Sequence, residues 1–101
     1  MNRKVVYAET FGGPIPVRIV SYHIETLSSA ISRRWVEVQV TKSVVNPYVE
    51  GYRFICSWNN IWLKHKFAQG GLHSFYEGKP QWDPEKTCIE RCRGLSIRSA
   101  V

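Results

Sequence analysis

The chain has 101 residues, 44% of them hydrophobic, the proportions of one domain that can bury a core without disulfide or metal staples. Fourteen Lys and Arg stand against eight Asp and Glu, a formal net charge of +6, which points to phosphate-rich or acidic partners. Arg18, Arg53 and Lys64 interrupt the apolar neighbourhoods, so no stretch approaches the ~18 residues of a membrane-spanning helix.

At the start, Met1 to Lys4 is followed only by Val5 to Ala8 before Glu9, too short an apolar run for a secretory signal. The expectation is a soluble protein of the cytoplasm. Val5 to Phe11 and Ile15 to Ile24 are rich in β-branched and aromatic residues, and Gly12, Gly13 and Pro14 between them supply turn chemistry, so a first hairpin is predicted. Ile15, Val17 and Ile19 share one face with Arg18 on the other, and Pro16 favours a sheet edge.

Thr26 is in place to cap a short helix through Leu27, Ala30 and Ile31. From Trp35 the pattern changes to alternation, with Val36, Val38 and Val40 on one face and Glu37, Gln39 and Thr41 on the other, the mark of a half-buried strand. Asn46 and Pro47 break the chain. Tyr52, Phe54, Cys56 and Trp58 then alternate with Arg53, Ile55 and Ser57.

Over Ile61 to Ala68 the apolar residues scatter around a helical cylinder, so a strand accounts for them better. A two-residue turn at Asn59 and Asn60 would fold this strand back, facing Trp58 with Ile61, Cys56 with Leu63, Phe54 with His65 and Tyr52 with Phe67. Arg53, Lys64 and Lys66 would then gather on the opposite face. Gln69 to Trp82 reads as a long loop around one short strand at Leu72 to Tyr76. Asp83, Pro84 and Glu85 carry the signals of a helix start, and Arg91, Arg93 and Gly94 those of a stop, so a C-terminal helix is predicted over Pro84 to Arg93. The resulting fold class is α+β: a curved antiparallel sheet or small barrel of four to six strands, in a single domain over residues 1–101, with that helix against it.

For chemistry, the leading constellation combines cations with aromatic rings: Arg33 and Arg34 beside Trp35; Arg53, Trp62, Lys64 and Lys66; and Phe75 with Tyr76. Cations neutralise phosphates, and flat rings stack on unpaired bases. His65, between two lysines, and His73, beside Ser74, are the candidates for a base, but neither has an acid at a diagnostic spacing. Cys88 and Cys92 would share one side of the predicted helix, a spacing that suits buried packing better than zinc. An odd count of three cysteines argues for free thiols, with Cys56 in the core. No phosphate loop, nucleophile elbow or helix-turn-helix pattern is present in the sequence.

The expectation is therefore a non-enzymatic nucleic-acid-binding protein, without cofactor or metal, using Arg33, Arg34, Arg53, Trp62, Lys64, Lys66, Phe75 and Tyr76. The same residues serve a second reading, a protein-directed inhibitor or adaptor of phage or mobile-element type that meets an acidic protein surface. The sequence does not fix the oligomeric state.

Overall fold

A computed structural model describes residues 5–67 and 74–91. The first hairpin joins β1 (Val6–Thr10) to β2 (Gly13–Thr26), with Val6 opposite Val17 and Thr10 opposite Gly13. The Thr10 hydroxyl closes the turn by accepting from the Gly12 amide and donating to the Gly13 carbonyl, both at 2.9 Å. β2 continues past a register shift between Ile19 and Ser21 and pairs along β3 (Ser32–Val40) as far as Thr26 opposite Ser32. Such a bulge increases local bend and twist. β4 (Arg53–Ser57) adds to β3, and β5 (Ile61–Trp62) to β1, giving the order β4-β3-β2-β1-β5. β6 (Lys64–Phe67) and β7 (Ser74–Glu77) form a separate antiparallel ribbon. β8 (Thr87–Arg91) lies parallel to the far half of β2, making the main sheet six-stranded.

The core follows the alternation of the strands. Val6 and Ala8, Ile15 and Val17, Val36, Val38 and Val40, and Phe54 and Cys56 are buried together. Tyr48 covers one end, edge-on to Phe54 at 5.2 Å; the loop that carries it contains a cis Asn46–Pro47 peptide. At the other end Trp58, Trp82 and Tyr22 pack ring against ring, with centroids 4.9 to 6.1 Å apart.

β4 and β5 are the two ends of the sheet order, yet only the 3-10 turn Trp58–Asn60 separates them in sequence. The sheet therefore curls until its edges nearly meet, but it does not close. Across this seam the Lys79 ammonium donates to the carbonyls of Trp58 and Ile61, while the Leu63 amide donates to Gly78 at 2.8 Å, one rung beyond the Lys64–Glu77 pair of the ribbon.

Four sequence expectations are corrected. The α+β class with a C-terminal helix gives way to a fold that is nearly all β, with only 3-10 turns among the described residues. Asp83 does cap, accepting from the Glu85 amide at 3.0 Å, but the turn ends at Lys86. Cap signals are common to both helix types, and β1 leaves residues 22–26 of β2 bare on one side. Thr87, Cys88 and Ile89, all poor helix formers, fill that edge with strand hydrogen bonds. The end of the predicted helix, Cys92 and Arg93, lies outside the described residues.

The turn at Asn59 and Asn60 is not a two-residue hairpin. Neither asparagine has a positive φ, and the chain crosses to the opposite edge, placing Trp62 against Tyr7 and Ile61 against Ala8. Burial of both Trp58 and Ile61 in the shared core favours the crossing. Leu27 to Ile31 is not a helix but the loop of the β2–β3 hairpin, in which the Ser28 hydroxyl accepts from the amides of Ala30 and Ile31. Pro16 is on a central strand; its carbonyl still accepts from the Thr41 amide at 2.9 Å, and the missing N–H falls at the very end of the β2–β3 ladder, one residue before the Val17–Val40 pair, where only the reciprocal bond is lost.

Candidate functional site

β3 extends three residues beyond the end of β4, because the last pair is Trp35 with Ser57. The step leaves an open cleft of about 520 Å3, bordered by Arg33, Arg34, Trp35, Ser57 and Asn59, with the largely buried Trp58 among its walls. Arg33 and Arg34 are exposed, and among the described residues neither forms an ion pair. Arg34 is nevertheless held in place, since its guanidinium lies over the Trp82 ring at 5.0 Å. The Trp35 indole is fixed by its Nε1–H, which donates to Glu25 at 3.0 Å. Ser57 Oγ accepts from the Asn59 amide at 3.2 Å, leaving its own proton available to donate.

The ribbon holds a second group of the predicted residues. Lys66 stands opposite Phe75, and Lys64 opposite Glu77, so these four share one face, and all are exposed. His65 and Tyr76 face the other way. Tyr76 packs on Trp62 at 5.9 Å, and His65 is edge-on to Tyr7 at 4.5 Å. His65 Nδ1 is buried without a hydrogen-bond partner among the described residues, an orientation set by ring packing rather than by a carboxylate. Trp62 donates to Glu9 at 3.3 Å and lies 5.0 Å from the Lys79 ammonium.

Arg53 joins neither group. It projects from β4 with Glu37 4.0 Å away, so the expected gathering of Arg53, Lys64 and Lys66 does not occur. Cys88 is exposed on a strand, and the helical spacing proposed for it and Cys92 does not apply. His73 lies outside the described residues.

Sequence reasoning missed Asn59 as a cleft residue, Trp82 as the support of Arg34, and Lys79 between two indoles. One signal was available: Trp82 lies two residues after Pro80 in a segment otherwise read as loop, and a large ring in such a segment usually covers a core. The basic and aromatic residues form a nearly continuous series: Arg34 over Trp82, Trp82 against Trp58, Lys79 over Trp58 and Trp62, and Trp62 beside Tyr76. No helix among the described residues is long and apolar enough to cross a membrane. No family model, curated protein or solved structure matches the chain.

Proposed function

We propose that this domain is a non-enzymatic binding module of the cytoplasm that contacts nucleic acid through the cleft at the end of β3 and the outward face of the β6–β7 ribbon. The observation that carries this reading is the pair of guanidiniums at Arg33 and Arg34, neither in an ion pair among the described residues, on the strand that carries the fixed Trp35 indole. Cations of this kind attract phosphates, and the net charge of +6 adds long-range attraction. Lys64, Lys66 and Phe75 extend the same chemistry on the ribbon.

The test is binding of labelled single- and double-stranded oligonucleotides over a salt series. Replacing Arg33 and Arg34 together by Glu should weaken binding to all sequences alike and flatten the slope of log affinity against log salt by about 1.4 to 1.8, two contacts at ~0.7 to 0.9 each. A parent protein that retains neither form at ~50 mM salt overturns the reading.

A second reading, an inhibitor or adaptor directed at a protein, has its own support at the opposite end of the strands. Phe11 is 91% exposed at the β1–β2 turn, and Val44, Val45 and Val49 are exposed on the loop beside it. Gly12 lies directly against Val45 and Tyr48, which joins turn and loop into one apolar end. Exposed apolar clusters of this kind mark protein contacts. Phe11→Ser abolishing capture of a protein partner, with no nucleic-acid affinity in the parent, selects this reading.

A further inference from the structure

We propose that the cleft at the end of β3 seats one unpaired nucleotide, its phosphate on Arg33 and its base flat against Trp35, two residues that share one face of the strand with Ser57; this rests on the nucleic-acid reading above. The cleft exists because β4 stops at Ser57 while β3 runs on to Ser32, so a wall of the sheet is missing for three residues. Its volume of about 520 Å3 falls in the range of sites that enclose a small ligand. The ring is oriented before any ligand arrives by its bond to Glu25, and Arg33, two residues along β3, projects from the same face. Pre-organisation of this kind lowers the ordering cost of binding.

The polar groups complete the match. Ser57 offers a hydroxyl proton, and the exposed Asn59 offers an amide with both donor and acceptor, so the edge of a base finds partners of either sense. A base still paired in a duplex cannot enter a cleft of this kind, because its edge and faces are already occupied. The inference is therefore a preference for single strands, generated at Trp35 and not at the lysines of the ribbon. The bare backbone of β3 at residues 32–34 would also suit strand addition by a peptide. A guanidinium at Arg33 with no ion pair among the described residues, on the same face as a fixed ring, favours the nucleotide.

Three measurements test this. Anisotropy should show a 5′-labelled single strand binding at least about tenfold tighter than a hairpin duplex of the same sequence. Trp35→Leu, checked for folding by circular dichroism, should reduce single-strand affinity about five- to a hundredfold, as loss of one stacked base does. Its duplex affinity should be unchanged. In the unaltered protein, adenosine monophosphate should shift the Trp35 indole N–H resonance, while inorganic phosphate alone should not. Equal binding of strand and duplex, with Trp35→Leu affecting both alike or neither, overturns the seat and leaves the nucleic-acid reading standing. No binding of either removes both. A Trp35 resonance that responds to the strand-forming acidic peptide acetyl-EVEVEV-amide but not to the mononucleotide makes the cleft a strand-addition site and also overturns the proposal.

Discussion

The ammonium of Lys79 stands 4.8 Å from the centroid of the Trp58 ring and donates to the carbonyl of Ile61 at 2.8 Å. Trp58 follows the end of β4, and Ile61 opens β5, so one side chain ties the two edges of an unclosed sheet. The residue as a whole is exposed, but its charged end is sheltered by the two indoles. That shelter lowers the Lys79 pKa, with the nearby Cys56 opposing. A clasp of this kind suits a sheet whose edges would otherwise present unpaired carbonyls to other chains.

Replacing Lys79 by Met keeps the stem and removes the donor from the Trp58 and Ile61 carbonyls. The expected loss is about 1.5 to 3 kcal/mol, the range for hydrogen bonds that involve a charged group. It should be read as a lower urea midpoint with an unchanged slope. An unaltered midpoint shows that the seam holds without the clasp.

Gly78 and Gly51 make a matched pair for testing the base of the ribbon. Both have positive φ, +78° and +91°, but an added Cβ at Gly78 would lie 3.2 Å from Leu63, while at Gly51 it meets open space. Gly51→Ala should cost roughly 1 to 2 kcal/mol from the left-handed backbone alone. Gly78→Ala should cost more, because Leu63 must also move, and Leu63 donates to Gly78 at the end of the β6–β7 ribbon. Equal losses in thermal melts would show that Leu63 gives way freely.

Local pattern was enough to find the strands whose partners are near in sequence or whose faces are strongly two-sided. Val36, Val38 and Val40 alternate with polar residues and are buried, as are Phe54 and Cys56. Thr87 to Arg91 was not legible, because its strand form depends on a bare edge of β2 more than sixty residues earlier, while Asp83 and Pro84 advertised a helix start that a single 3-10 turn also satisfies. The same division holds for the site. Arg33, Arg34 and Trp35 are contiguous and were read together, whereas Asn59 and Trp82 reach them only through the fold. Grouping Arg53 with Lys64 and Lys66 required a hairpin register that the crossing from β4 to β5 removes.

Cysteine accessibility gives a direct check of the strand assignments. Cys56 is fully buried, and Cys88 is exposed on β8. Iodoacetamide under native conditions should modify Cys88 and spare Cys56, with peptide mapping to distinguish them; in urea both should react. Protection of Cys88 would place it on a buried face and contradict the exposed strand.

The alkaline limb of stability should depend on Cys56. Burial pushes its thiol from 9.0 up to about 12, with the positive charge of Lys79 pulling the other way. As pH rises above 9.0, the unfolded chain loses this proton while the folded chain keeps it, so the folded state binds more protons and stability falls with pH. The contribution is complete below about 9, the unfolded value, and is lost progressively toward about 12, the folded value. Tyr22 and Tyr76, both raised by burial and then by Asp83 and Glu9 respectively, add in the same direction. Lys79, lowered by burial, has the opposite sign: its unfolded form holds the proton longer, so it offsets part of the fall. Cys56→Ala removes one titrating group and leaves a small cavity whose cost does not change with pH. The variant should therefore be less stable at neutral pH but lose stability more slowly above pH 9.0, so that the two urea-derived curves converge. Curves that stay parallel throughout would show that the thiol titrates alike in both states, and the buried position of Cys56 would have to be abandoned.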